Sequence, residues 1–307
     1  MDQSNQIKYI VMQICYIPSI ICSIFTLYHL LFNRHLRSTL HNHVPIALLI
    51  ISTLDSLFNH PFTLIYLRMN RVIPSTNTMC LCWNFLNSFF TVATFLTMAW
   101  GSIERHFLIF NSNLFLTQRQ RFVFHYIPLL TMIVIYPLIS NIVISLLYPC
   151  ENRFNFSLLF CGYTCALKIP SVALYARIAH NFLPISVVIG STIVLIIRVI
   201  KQKEQIQTNQ INWRRYRRMV IQLFSLASLF LPLTLPAMTV SIVQNCCLPT
   251  FASSIFVPYL NFLVRFLTLL LPFLCLSLFP ELWPKLFFCK NNHVQPVRTI
   301  RARTLLT

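Results

Sequence analysis

Residues 122–147 read FVFHYIPLLTMIVIYPLISNIVISLL. These 26 residues contain no Asp, Glu, Lys or Arg. About 20 predominantly apolar residues suffice for a helix to cross the hydrocarbon core of a bilayer. Six further runs of similar character occur at 9–32, 44–66, 80–103, 182–200, 219–243 and 255–279. The composition agrees. The chain has 307 residues, 56% of them hydrophobic and 10% charged, against about 25% charged in an average soluble domain. Mean hydropathy is +0.68. Too few polar side chains are available to cover a soluble surface, which excludes an ordinary cytosolic enzyme. Disorder is excluded because it requires low hydrophobicity. The expected fold is an all-α membrane protein, a bundle of seven transmembrane helices.

The net charge of +18 comes from 24 Lys+Arg against 6 Asp+Glu. Long uncharged runs separate the basic residues, so nucleic acid is not the expected partner. Their distribution instead sets an orientation. With the N-terminus outside, outer segments hold six: Lys8, Arg68, Arg71, Arg153, Lys168 and Arg177. Inner segments hold seventeen, seven of them between Arg198 and Arg218. Positive residues favour the inner side, which predicts N-out, C-in. The first run is too long for a signal-peptide core and is expected to act as its own insertion signal. One basic residue, Arg265, lies within a span. Seven of the eleven cysteines fall on the outer side: Cys80, Cys82, Cys150, Cys161, Cys165, Cys246 and Cys247. In an oxidising compartment such cysteines can pair. A glycosylation sequon, Asn155-Phe156-Ser157, lies in the long outer loop 148–181.

The third run ends in Ser102-Ile103-Glu104-Arg105-His106. A Glu-Arg pair at the inner end of the third of seven helices resembles the Asp/Glu-Arg-Tyr motif of rhodopsin-like G protein-coupled receptors. Cys80 precedes Arg105 by 25 residues, the spacing of that family's outer disulfide cysteine. Ile51-Ser52-Thr53-Leu54-Asp55 resembles the family's Leu-Ala-x-x-Asp, and Leu271-Pro272-Phe273-Leu274-Cys275 resembles its Asn-Pro-x-x-Tyr. Arg217 and Arg218 precede Pro236 by 19 and 18 residues, like the family's basic pair and kink proline. The chain departs from the family in several places. Ser23 stands where an Asn is expected, the fourth span has no Trp, and Leu233-Thr234-Leu235-Pro236 replaces Cys-Trp-x-Pro.

The resemblance implies a plasma-membrane receptor, not an enzyme, that passes an outer ligand's binding to a heterotrimeric G protein. Its domain would cover 1–290, followed by a short basic cytoplasmic tail, 291–307, with arrestin as a further candidate partner. Glu104, Arg105, His106, Arg214, Arg215, Arg217 and Arg218 would face the G protein, with Glu104 holding Arg105 at rest. Arg214 through Arg218 offer no acid to close a lock against Arg105, so appreciable basal signalling is expected. Cys80 would pin the outer loop through Cys150, Cys161 or Cys165, with Cys161 preferred as mid-loop. The segment from Glu281 to Cys289 resembles the family's surface helix, with Cys289 a palmitoylation candidate.

Three polar positions within spans carry separate expectations. Asp55 is the one acid mid-span, and such a group is costly in lipid. By resemblance it could coordinate Na⁺ with Thr94 and Thr268, although a hard cation wants several oxygens. Arg265, seven residues before Pro272, must find a partner inside the bundle. It either bridges to Asp55 or presents a cation to an acidic ligand group. Asn87 stands where amine receptors carry an Asp, which disfavours biogenic amines; with Thr234 and Arg265 it forms the candidate ligand pocket. His60-Pro61 is expected to kink the second helix, with His60 a packing residue. No zinc-ligand spacing, phosphate-binding loop or nucleophile–base set is visible. The rival class is a seven-helix channel or transporter.

Overall fold

The computed structural model describes residues 3–111, 115–205, 210–246, 248, 250–251 and 259–282, with the backbone alone at 199–205, 210–219, 245–246 and 280. Among the described residues, seven helices are long and apolar enough to span a membrane. They are α1 (Gln3–Phe32), α2 (Leu40–Met69), α3 (Asn77–Phe110), α4 (Gln118–Leu147), α5 (Pro170–Arg198), α6 (Gln210–Cys246) and α7 (Asn261–Leu278). No strand occurs among the described residues.

The first helix turns an apolar stripe outward and small polar side chains inward. In α1, Ile7, Ile10, Ile14, Ile17, Ile21, Ile24 and Tyr28 are exposed, and they recur every three or four residues along one face. The opposite face buries Met12, Ser19, Cys22, Ser23 and Thr26. A soluble helix has the reverse pattern. This one places its greasiest stripe where lipid would lie. The main core joins Leu30, Leu48, Leu49, Phe95, Val188, Phe230 and Leu271 from six of the helices. Gly101 lets α3 approach α2 closely, since a Cβ there would sit 2.5 Å from Val44 Cγ1.

Prolines shape α4 and α5 in one way. A proline ring clashes with the carbonyl four residues earlier. For Pro128, Pro137 and Pro184 those residues are Phe124, Ile133 and His180. Each sits at the centre of a π-helical turn: Phe122–Tyr126, Thr131–Ile135 and Ile178–Phe182. The wider turn moves the carbonyl out of the ring's path and keeps the helix continuous. In α2 the break falls at Asn59, between His43–Phe58 and His60–Met69.

The fifth span differs from its sequence expectation. Its helix begins at Pro170, not near 182. Residues 171–174, inside the expected outer loop 148–181, form its first turn, because proline is well suited to a helix's first position. The loop between α4 and α5 is therefore shorter, and two disulfides tie it down: Cys80–Cys161 and Cys150–Cys165. The segment from residue 283 onward, including Cys289 and the tail, lies outside the described residues, as do the side chains of Arg214, Arg215, Arg217 and Arg218.

Candidate functional site

Two polar clusters occupy opposite ends of the bundle, and α3 contributes to both. The first lies at the disulfide end. Here the chain makes a left-handed turn through Phe160, Cys161, Gly162 and Tyr163, with φ of 55°, 54°, 79° and 66°. Three of these are not glycine, and each costs about 1–3 kcal/mol in that region. The disulfide to Cys80 and the burial of Phe160 against Trp83, ring centroids 4.8 Å apart, hold the turn in place. Asn84 adds a tie, donating Nδ2–H to the carbonyls of Cys80 (2.9 Å) and Phe160 (2.7 Å).

The turn carries the Phe160 ring over Arg265, whose guanidinium carbon lies 4.4 Å from the ring centroid. Arg265 Nη1 donates to Asn87 Oδ1. The sequence left two partners open for Arg265, Asp55 or a ligand. The structure gives it a third, the Asn87 amide. Asp55 turns instead to its own helix break. Asn59 Nδ2 donates to Asp55 Oδ1 at 2.5 Å, and His60 Nδ1 is 3.9 Å from Oδ2. His60 Nε2 reaches 3.4 Å from Thr268 Oγ1, which donates to the Arg265 carbonyl at 3.2 Å. Ser52 donates to the Thr268 carbonyl at 2.7 Å. A continuous polar chain thus runs from Asp55 through His60 and Thr268 to Arg265 and Asn87.

The side-chain partners of Asp55 are an amide N–H and an imidazole nitrogen, whereas a hard cation wants several oxygens. Thr94 donates to the Phe90 carbonyl (2.8 Å) and Thr268 turns to Arg265 and His60. Thr234 is fully buried and donates to the Phe230 carbonyl at 2.8 Å. Such hydroxyls satisfy themselves on their own helix. Asn155 is exposed and accepts from the Ser157 N–H at 3.0 Å.

The second cluster lies at the opposite end. Glu104 and Arg105 are both buried. The expectation was that Glu104 holds Arg105. Its short contact goes elsewhere, to His125 Nδ1 at 2.5 Å. His125 Nε2 lies 2.6 Å from His43 Nδ1, and His43 Nε2 lies 2.8 Å from the Arg37 carbonyl oxygen. His106 Nε2 lies 2.7 Å from the Ser191 carbonyl oxygen and its ring stacks on Phe110, fastening α3 to α5.

Sequence reasoning missed His125, His43, Asn59, Asn84 and Phe160, and took His60 for packing. A signal existed for His125: apart from two tyrosines it is the one ionisable side chain in 122–147, and ionisable groups in spans are functional candidates by default. No comparable signal marked Phe160, which reads as an ordinary loop aromatic. No protein-family model matches the chain, and no curated protein matches it.

Proposed function

We propose that this multi-pass protein is a plasma-membrane receptor, N-terminus outside, that couples an extracellular ligand to a heterotrimeric G protein. The observation that carries this reading is the Arg265 site. A half-buried guanidinium under a doubly crosslinked loop has an amide and an aromatic ring as partners and, among the described residues, no carboxylate within ion-pair distance. A guanidinium whose direct partners are an amide and a ring gains less than one paired with a carboxylate, and an incoming carboxylate would complete it. Support at the other end comes from buried Glu104 and Arg105 on the same helix, and from the seven basic residues the sequence carries between 198 and 218. The ligand is thus a small molecule or peptide carrying an acidic group. Lodged between Arg265 and Phe160, it would shift α7 against α3, and α3 would carry the change to the Glu104–Arg105 end.

The test is a library of carboxylate-bearing and amine ligands screened in cells that express a promiscuous Gα subunit. The wild type should give appreciable ligand-free signal and respond to acidic compounds, and Arg265→Ala should lose the response while keeping surface expression. A silent receptor at good surface expression, or a response that survives Arg265→Ala, would count against the proposal. Ligand-evoked ion current without a G protein would point to the channel class instead.

A further inference from the structure

The chain Glu104–His125–His43–Arg37 can be counted in hydrogens. It has three contacts, at 2.5, 2.6 and 2.8 Å. Each needs one hydrogen between its two heavy atoms. The last contact ends on a backbone carbonyl, which can only accept, so His43 Nε2 must carry a hydrogen. The middle contact joins two ring nitrogens, and one of them must carry another. The first contact needs a third. Two neutral imidazoles supply only two, and an ionised carboxylate supplies none.

We infer that Glu104, His125 and His43 form a proton-binding site that holds one hydrogen more than two neutral imidazoles and a carboxylate would carry. Two arrangements satisfy the count. In one, a carboxylate accepts from a histidine pair that shares three N–H groups. In the other, Glu104 is a neutral acid whose Oε1–H donates to His125 Nδ1, His125 Nε2–H donates to His43 Nδ1, and His43 Nε2–H donates to the carbonyl of Arg37. Both leave the triad with no net charge. A second observation favours the acid. Glu104 Oε2 is buried and accepts no hydrogen bond among the described residues, which costs an ionised oxygen far more than the carbonyl oxygen of an acid. Glu104 and His125 are 1% and 0% exposed, so neither can exchange this network for water.

The groups around the site come from four elements. α3 supplies Glu104 and, next in sequence, Arg105, whose guanidinium interacts electrostatically with Glu104. α4 supplies His125, Tyr126 and Arg121, the last donating Nε–H to the Phe115 carbonyl. α2 supplies His43, whose ring lies 5.7 Å from that of Tyr126. The short helix Arg34–Ser38, between α1 and α2, supplies the Arg37 carbonyl, while its guanidinium turns to the Leu31 carbonyl at 3.3 Å. The site thus joins α2, α3 and α4 to the α1–α2 connection. Losing the proton must break one of the three contacts. The outermost, His43 to Arg37, is exposed and should go first, because water can replace it there.

Folding then takes up one proton near neutral pH, where an unfolded chain holds its glutamate ionised and its histidines mostly neutral. The site's stability is present at low pH and lost as pH rises through its titration. The full chain in lipid nanodiscs tests this in two ways. Thermal unfolding read by tryptophan fluorescence between about pH 5 and pH 8 should show a midpoint that falls with rising pH. Glu104→Gln should remove most of that slope, because the Gln amide donates to His125 Nδ1 and two neutral imidazoles then complete the chain. Independently, ¹⁵N-histidine NMR with His43 and His125 assigned by substitution, plus the infrared carboxyl band assigned through Glu104→Gln, should count three hydrogens at pH 7. Two ring N–H groups with an ionised Glu104 would overturn the inference, whether or not the variant folds. So would a slope that Glu104→Gln leaves unchanged.

Discussion

The two ends of the bundle treat buried charge in opposite ways. At the disulfide end, Arg265 rests on an amide and the face of a ring, while the nearest buried acid, Asp55, is bonded to Asn59. At the other end, Glu104 lies in a closed chain of three short contacts. A guanidinium on neutral partners gains less than it would from a carboxylate, which is why the proposed ligand is acidic. The Glu104 end has its partners already.

The comparison can be broken at several points. The largest effect should come from the Cys80–Cys161 link, since removing a structural disulfide costs about 2–5 kcal/mol and here also frees the strained turn that holds Phe160. Cys161→Ser should lose most surface expression, measured by antibody on intact cells. Next is Glu104→Ala. It leaves the buried His125 Nδ1 without a partner, which costs about 1–3 kcal/mol, and the thermal midpoint should fall well below that of Glu104→Gln. At the disulfide end, Asn87→Asp gives Arg265 the carboxylate it lacks. The response to an acidic ligand should drop by roughly tenfold or more, equivalent to about 1.4 kcal/mol, while the thermal midpoint holds or rises. Gly101→Ala drives a methyl against Val44 and should cost about 1–3 kcal/mol by overpacking. The smallest effect should be Thr94→Val, below about 1 kcal/mol, since its hydroxyl bonds only its own helix. A large loss of signalling there would restore a role near Asp55.

Most of the fold was legible because a bilayer imposes one dominant demand. Runs such as 122–147 can satisfy it in only one way, and the seven helices follow. The start of α5 was misread because Ser171 through Leu174 is too short an apolar patch to register by hydropathy, while the signal that mattered was Pro170 at a first helical position. Asn87 and Arg265 were each marked by being polar within a span. That they meet was not legible, because their contact joins residues 178 apart in sequence. Glu104 was assigned to Arg105 by resemblance to the family motif. Its bond to His125 was not legible, because the two lie on different helices.

The account stands on the two ends facing opposite sides of one membrane. The most direct measurement places an epitope tag at the C-terminus and reads it on intact and permeabilised cells, with glycosylation of Asn155 followed on the same chain. The tag should be visible only after permeabilisation, and a glycan should disappear in Asn155→Gln. A tag detected on intact cells would contradict the orientation, and with it the assignment of Arg265 to a ligand and of Glu104 to the inner face.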